Sequence, residues 1–274
     1  MRWTPSLLVL SCGLGIPVTP VAGDQVIPFR EAWGWAIVVP VEIGASGVHE
    51  FLLDTGTAST LLEPDLAAEL GIAVSARTNL VTPVGARVVG VGRTRLTIGR
   101  TTLDDVEVLV TELPAIRSDE PRVRGLLGQS ALSRLEYTID HARRRLIVHR
   151  WHAGASPDTP TRPTLEARLG CGRSSSRLVL DSGVATPVLF QQGPRTPDVE
   201  LRGSVHVATN AGGAVWREGR IPSLCVAGRR SGPLDVVVRP ETAPARGENG
   251  LLPSRFFARV RLGRAGAVIR VDHW

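Results

Sequence analysis

The sequence FLLDTGTASTLL, residues 51–62, returns 127 positions later in an altered form, LVLDSGVATPVL, residues 178–189. Each copy has an apolar segment typical of a strand, then Asp-Thr-Gly or Asp-Ser-Gly, then small residues and a second apolar pair. One such tripeptide occurs by chance in many loops. Two copies in matching strand contexts indicate an internal duplication.

A second motif repeats downstream of each copy at nearly the same distance. Gly-Leu-Leu-Gly begins at Gly125, 71 positions after Asp54, and Gly-Leu-Leu-Pro begins at Gly250, 69 positions after Asp181. The matched spacing predicts that the chain contains two equivalent lobes, each with one aspartate at the end of an apolar strand.

The segment between the two halves, residues 151–163, is rich in proline and small polar residues and has no hydrophobic periodicity. These features are typical of an interdomain connection. We therefore predict an N-terminal lobe at residues 24–150, a linker at residues 151–163 and a C-terminal lobe at residues 164–274.

The N-terminal segment, residues 1–23, is predicted to be a signal peptide. Arg2 supplies a short positive region, residues 7–18 are mostly apolar, and small residues precede a cleavage point before Asp24. The apolar run is short and contains a proline, which argues against a membrane-spanning helix. We expect a secreted or periplasmic protein without stable membrane insertion, with a lipid anchor through Cys12 as the alternative.

The composition favours an all-β fold. The chain has 274 residues, of which 29 are glycine and 20 are proline, and its apolar runs are short, as in strands joined by many turns. One short helix is predicted at residues 63–70, where Pro64 occupies the first turn and Gly71 follows the last.

The charged residues exclude several classes of function. The basic residues are all arginines, give a net charge of +6 and are spread along the chain without a nucleic-acid-binding motif, so no nucleic-acid partner is expected. The six histidines show no metal-ligand spacing, and no phosphate-binding glycine loop is present. We therefore expect neither a metal nor an organic cofactor.

Two cysteines, Cys171 and Cys225, would remain after removal of the predicted signal peptide. In an exported protein they can form a disulfide. The alternative is a pair of buried thiols, and the sequence does not give their separation.

The two aspartates have the context that acid–base chemistry requires. A carboxylate at the tip of a tight loop after an apolar strand is held rigidly, the glycine allows the sharp turn, and the threonine or serine can fix the loop by a hydroxyl hydrogen bond. If two such loops face each other, the two carboxyls cannot both ionise easily, so they share a proton. One carboxyl then acts as a general base and the other as a general acid.

These motifs resemble those of the aspartic peptidases, and specifically the bacterial retropepsin-like group. The first copy, continuing into DLAAELGI at residues 65–72, is similar to that family's active-site loop and following helix. The segment GLLG at residues 125–128 is similar to the family segment that passes behind the catalytic loop. The resemblance covers roughly residues 30–274 and is more specific in the first half than in the second.

The resemblance implies an all-β, two-lobed β-barrel fold with an internal pseudo-twofold axis and few short helices. Retropepsins pair two identical chains, whereas pepsins fuse two lobes, and this chain resembles a fused, monomeric version with short lobes. The implied activity is that of an aspartic endopeptidase on peptide or protein substrates, with Asp54 and Asp181 as its catalytic pair. The implied supporting loop residues are Thr55, Gly56, Thr57, Ser182 and Gly183.

The second copy departs from the family pattern. Thr57 stands where pepsins place a hydroxyl against the outer carboxylate oxygen, whereas Val184 occupies that place in the second lobe, so we expect the two aspartates to be electrostatically unequal. Pro253 replaces the last glycine of the Gly-Leu-Leu-Gly segment. These changes leave a rival function open, that of a catalytically inactive, pepsin-like module that binds a peptide or protein, and less favourably that of a scaffold.

The sequence also suggests a covering hairpin, or flap, in each lobe, at residues 84–92 and 205–217. The first lacks the aromatic residue of the pepsin flap, and the second contains Trp216. The residues that bind the substrate are not identified by the sequence.

Overall fold

A computed structural model describes residues 23–82, 85–149, 161–191, 199–209, 212–240 and 247–273. The predicted signal peptide with Cys12 and most of the predicted linker lie outside the described residues. Within the described part of the chain, no helix is long and apolar enough to cross a membrane.

The described residues of the first half form short strands and three short helices. In chain order the strands are β1 (Gln25–Pro28), β2 (Arg30–Ala32), β3 (Ala36–Ile43), β4 (Val48–Leu53), β5 (Thr60–Leu62), β6 (Ala76–Thr82), β7 (Gly85–Ile98), β8 (Thr101–Val110), β9 (Val123–Leu127), β10 (Tyr137–Asp140) and β11 (Arg145–Val148). The helices are α1 (Pro64–Glu69), α2 (Pro114–Arg117) and α3 (Gln129–Leu132). Helix α1 has proline at its first position and ends before Gly71, whose φ is +63°, as the turn signals of the sequence predict.

The second half contains strands and two 3-10 turns among its described residues. The strands are β12 (Thr164–Leu169), β13 (Ser176–Asp181), β14 (Val188–Gln191), β15 (Glu200–Thr209), β16 (Gly212–Ile221), β17 (Leu224–Val226), β18 (Arg229–Arg230), β19 (Leu234–Pro240), β20 (Gly250–Pro253), β21 (Arg259–Leu262) and β22 (Val268–Asp272). The 3-10 turns are Ser254–Phe256 and Arg264–Gly266. The helix that follows the active-site loop in the first lobe has no counterpart to compare in the second, because residues 192–198 lie outside the described part.

Each half builds one large sheet, and the two sheets share a central arrangement. The first has the order β2-β3-β4-β9-β5-β8-β7-β6, and the second has the order β15-β16-β19-β14-β20-β13-β12-β17-β18. In the first sheet β9 lies parallel to β4 and antiparallel to β5. In the second sheet β20 lies parallel to β13 and antiparallel to β14 in the same way. The repeat in the sequence is therefore also a repeat in strand topology.

The Gly-Leu-Leu motifs lie on β9, between β4 and β5, and on β20, between β14 and β13. We call β9 and β20 the enclosed strands. A methyl group on Gly125 would lie 2.3 Å from the Phe51 ring and 2.4 Å from the carbonyl oxygen of Leu61. A methyl group on Gly250 would lie 2.2 Å from the carbonyl oxygen of Val188. Only glycine fits at either position, which explains why glycine recurs at the start of both motifs.

A third sheet joins the two halves. Its order is β1-β11-β10-β21-β22, and β10 of the first half pairs antiparallel with β21 of the second. The buried carboxylate of Asp140 on β10 accepts a hydrogen bond from Arg145 of β11 at 3.2 Å and lies 3.5 Å from Arg259 of β21. The halves are therefore linked through main-chain pairing and through a buried ion pair.

The hydrophobic core follows the same organisation. The largest cluster of buried apolar residues is continuous from Leu53 in the first half through Ile139 and Val260 in the joining sheet to Leu180 in the second half. Two smaller apolar clusters lie one in each lobe, the first around Leu52 and the second around Trp216. The all-β, aspartic-peptidase fold class that the sequence predicts is confirmed, with few and short helices.

The two cysteines form a disulfide. Cys171 lies in the turn after β12, Cys225 lies on β17, and their Cα atoms are 5.1 Å apart. Of the two alternatives that the sequence leaves open, the structure has the bonded pair.

Candidate active site

The two aspartates follow equivalent strands and meet at the interface between the lobes. Asp54 comes directly after β4, and its backbone N–H donates to the carbonyl oxygen of Leu127 at 3.0 Å, so the start of the loop is held against the end of β9. Asp181 is the last residue of β13 and pairs in register with Pro253 of the enclosed strand in the second lobe. Each carboxyl therefore stands at the end of a buried strand whose position the sheet fixes.

Four hydrogen bonds between the loop that contains Thr55 and the loop that contains Ser182 hold the lobes together beneath the carboxyls. The Thr55 hydroxyl donates to the carbonyl oxygen of Leu180 at 2.7 Å, and the Ser182 hydroxyl donates to that of Leu53 at 2.7 Å. Each hydroxyl oxygen also accepts the partner's backbone N–H, Thr55 N to Ser182 Oγ at 3.1 Å and Ser182 N to Thr55 Oγ1 at 3.0 Å. All four bonds are buried and reciprocal, so neither loop can move without the other.

The two glycines bring each loop against the opposite carboxyl. A methyl group on Gly56 would lie 2.1 Å from Oδ2 of Asp181, and one on Gly183 would lie 2.8 Å from Cγ of Asp54. Any side chain at either position would displace the opposite carboxyl. Glycine is therefore required here for the close approach of the two loops and not for an unusual φ.

The two carboxyls receive different numbers of backbone hydrogen bonds. Oδ1 of Asp54 accepts the N–H groups of Gly56 and Thr57, both at 3.0 Å. Oδ1 of Asp181 accepts one backbone N–H, that of Gly183, at 2.6 Å. Among the described hydrogen bonds, Thr57 reaches Asp54 through its amide and not through its hydroxyl, so the predicted inequality has a main-chain origin.

Burial and proximity raise the pKa of both aspartates, and of Asp181 more strongly. Burial is the main cause of the raised pKa of Asp54, and the N–H groups of Gly56 and Thr57 oppose it by stabilising the carboxylate. Burial and then the charge of Asp54 raise the pKa of Asp181 well above its ordinary value. The backbone hydrogen bonds to Asp54 therefore favour its ionised form more than the single bond to Asp181 does.

The structure adds a charged residue that the sequence analysis missed. Arg162 lies at the end of the predicted linker, yet its positive charge lowers the pKa of both aspartates against the effect of burial. It donates to both carboxylate oxygens of Glu248 at 2.8 Å. The position of Asp181 could have indicated it. A strand that pairs antiparallel with the aspartate strand through a short turn must begin about as far before that turn as Asp181 lies after it.

Hairpins are present where the sequence predicts flaps, as β6–β7 and β15–β16, and residues 83–84 and 210–211 between their strands lie outside the described part. Trp216 of the second hairpin is 8% exposed and belongs to an apolar cluster that includes Val184, the residue after the second Asp-Ser-Gly. Val89 of the first hairpin belongs to the corresponding cluster of the first lobe. Each hairpin is thus anchored in the apolar cluster of its own lobe.

The described residues contain no group of three or more histidine, cysteine, aspartate or glutamate side chains placed to hold a metal ion. The chemistry that the site offers from its own residues is that of two adjacent, buried carboxyls, both with a raised pKa, at a junction between two lobes. This arrangement is suited to general acid–base work on a molecule bound between them.

The fold and the paired loops define an aspartic-peptidase architecture. Residues 39–131, which contain the first aspartate loop and the first Gly-Leu-Leu segment, match the family model described as aspartyl protease. This part of the chain is therefore similar to the aspartyl protease family. No curated protein matches the chain.

Proposed function

We propose that this protein is an aspartic endopeptidase that hydrolyses peptide bonds with a water molecule activated by Asp54 and Asp181. The observation that carries the proposal is the reciprocal packing of the two loops, in which each glycine faces the opposite carboxyl and Thr55 and Ser182 bond across the interface. The match of residues 39–131 to the aspartyl protease family supports peptidase activity in general.

The inequality of the two carboxyls suggests how the work is divided. Asp54, with two N–H donors, would take a proton from the water as it attacks the scissile carbonyl, and Asp181 would give its proton to the carbonyl oxygen. The resulting diol would collapse as Asp54 passes its proton to the departing nitrogen and Asp181 recovers one from a diol hydroxyl. No covalent bond to the protein forms, and proton balance is restored after each turnover.

The substrate would be a peptide or a protein, bound in the cleft between the lobes and under the two hairpins. Because both aspartates belong to one chain and their loops already pair, the proposal requires only a monomer. The disulfide between Cys171 and Cys225 favours action outside the cytoplasm, in a secreted or periplasmic setting, since disulfides persist in oxidising compartments.

A second candidate function is a peptide-binding module that does not cleave. It is favoured by the altered second loop, where Asp181 is only 4% exposed and accepts a single backbone N–H, and where Val184, without a hydroxyl, stands in the place of Thr57. The two functions differ in turnover and not in binding, so one assay can separate them.

The test is cleavage of a peptide library by the mature chain, residues 24–274, from acid to neutral pH. Asp54→Asn and Asp181→Asn are compared with Asp119→Asn, which changes an exposed carboxyl on the surface. The proposal predicts cleavage by the wild type and by the Asp119 variant, and none above background by the other two. Tight peptide binding without cleavage by the wild type would favour the non-catalytic module.

A further inference from the structure

Arg162 is the cross-strand neighbour of Asp181. Strands β12 and β13 pair antiparallel with Thr164 opposite Val179, and the N–H of Leu180 donates to the carbonyl oxygen of Pro163 at 2.8 Å. Continuing this register places Arg162 opposite Asp181. Directly opposed residues of an antiparallel pair project to the same face of the sheet with their Cβ atoms about 5 Å apart.

Glu248 holds the Arg162 guanidinium in place. One guanidinium nitrogen donates to both carboxylate oxygens at 2.8 Å, and the side chains are only 20% and 11% exposed. Glu248 stands two positions before Gly250, so it enters the same region from the segment directly before β20. Water screens an ion pair at this degree of burial less than it screens a surface pair.

The first lobe has no charge in the corresponding places. Its register, with Val38 opposite Leu52, places Ala36 opposite Asp54, and Val123 stands two positions before Gly125. Ala36 and Val123 are 3% and 0% exposed and belong to one apolar cluster. The ion pair is therefore specific to the lobe that contains Asp181, in a fold that otherwise repeats closely around the two aspartates.

We propose that the Arg162–Glu248 ion pair is a positioning element of the aspartate pair, which sets the pH range in which Asp54 is ionised while Asp181 keeps its proton. The inference rests on the proposed function for its catalytic meaning. A cation beside two buried carboxyls stabilises their ionised forms, and Glu248 both fixes that cation and offsets part of its charge. Burial alone would keep the two carboxyls protonated up to a higher pH. The ion pair lowers the pH at which they ionise.

The charged groups that face Asp181 from the elements packed against it are few among the described residues. Asp54 faces it from the loop after β4, and Arg162 faces it from the segment before β12, with Glu248 behind the arginine. On β20, the register partner of Asp181 is Pro253, which carries no charge. A change at Arg162 and a change at Glu248 should therefore act on the aspartates in opposite directions.

The experiment measures the titration of the two aspartates by carbon-13 NMR of labelled carboxyl groups, with signals assigned from Asp54→Asn and Asp181→Asn. We expect Arg162→Met to move the apparent pKa values of the pair upward by about one pH unit, since it removes the nearby cation. Glu248→Gln keeps the cation, removes the opposing charge, and should move both values downward. The limbs of the pH profile of kcat/KM should shift in the same directions.

Arg261→Met is the matched control, because Arg261 forms a similar pair with Glu136 in the joining sheet and should leave the titration unchanged. If neither Arg162→Met nor Glu248→Gln moves the titration beyond this control, or if both move it the same way, the proposal is overturned. Should Arg162→Met fail to fold, the shift in Glu248→Gln decides alone. The NMR readout needs no turnover, so an inactive wild type would count against the peptidase proposal without removing this test.

Discussion

Two nearly identical tripeptides create unequal carboxyls because their surroundings differ by a few polar atoms. Asp54 accepts two backbone N–H groups and Asp181 accepts one, while the charge of Arg162 acts on both. Like charges in a buried pair cannot both form readily, so a small difference in hydrogen bonding is enough to decide which carboxyl keeps the proton.

Asp181→Asn is expected to stabilise the folded protein at neutral pH. Burial and the charge of Asp54 raise the pKa of Asp181 in the folded chain. The unfolded chain therefore releases this proton at a lower pH than the folded chain does, and the free energy of unfolding falls as the pH rises. Removing the carboxyl removes that penalty, and the gain should fade below the ordinary pKa of aspartate, where both states hold the proton. Thermal unfolding of wild type and variant across this pH range measures the difference.

The control for that measurement is Asp119→Asn, an exposed site where the difference from wild type should stay within about 0.5 kcal/mol at every pH. If Asp181→Asn lowered the free energy of unfolding at neutral pH, the stabilisation from the hydrogen bonds of this carboxyl would exceed the free-energy cost of burying it.

Gly56→Ala is expected to abolish most activity while the chain still folds. The added methyl would lie 2.1 Å from Oδ2 of Asp181, so the carboxyl must shift, and a displacement near 1 Å of a catalytic group can cost on the order of 100-fold in rate. Gly232→Ala is the matched control, because a methyl there meets nothing within 4 Å. Equal kcat/KM values for the two variants would contradict the close packing of the loops.

At the scale of elements, strand β1 shows that the residues directly after the predicted signal peptide are part of the joining sheet. Strand β1 pairs along its whole length with β11, and Asp24 just before it contacts His149 at 3.0 Å. Ile27 is 6% exposed and is part of the core, whereas its neighbour Val26 is 46% exposed. The segment is therefore built into the joining sheet and is not an accessory to be removed.

Ile27→Ala is expected to destabilise the protein by about 2–4 kcal/mol, because it leaves a cavity in the core that both lobes share. Val26→Ala, one residue away on the exposed side of the same strand, should change the free energy of unfolding by roughly 0.5 kcal/mol or less. Chemical denaturation of the two variants measures both values, and equal effects would mean that β1 does not pack as described.

Much at this scale could be predicted from the sequence, for a physical reason. Strands with strong local patterns, such as β4 and β13, and the short helix after Pro64 are specified by residues close to one another in the chain. Each Gly-Leu-Leu segment was recognisable because only glycine fits where three strands converge.

The remaining features depend on pairing between distant residues, which a local pattern does not encode. Strand β1 pairs with β11, more than 100 positions away, and β10 pairs with β21 across the two halves. The sequence predicts a linker at Arg162 because its neighbours are prolines and small residues, whereas its position beside Asp181 depends on the pairing of β12 with β13. The disulfide likewise depends on the folded arrangement, since sequence spacing does not give the distance between two cysteines.

For the whole molecule, the joining sheet and the shared core make the two halves one unit. Pairing of β10 with β21 and the buried Asp140–Arg259 contact couple the lobes, and the hydroxyl bonds of Thr55 and Ser182 couple the loops directly. Both aspartates of the proposed site then come from a single chain, unlike a site assembled from two identical chains.

Specific activity is therefore expected to be independent of protein concentration. Dilution of the mature chain over a wide range should leave kcat/KM unchanged, because no association step is needed to assemble the aspartate pair. Size-exclusion chromatography with light scattering at the same concentrations provides the mass of the active species. A loss of activity on dilution, together with a shift from dimer to monomer, would contradict an intramolecular site.

The most direct test of the central claim is the cleavage of one identified peptide substrate by wild type, Asp54→Asn and Asp181→Asn, measured side by side from acid to neutral pH with folding checked for each. The account predicts turnover by the wild type and its loss in both variants, since one carboxyl without the other can neither activate water nor protonate the carbonyl efficiently. Cleavage by either variant at the rate of the wild type would contradict the pairing of Asp54 with Asp181 as the catalytic site.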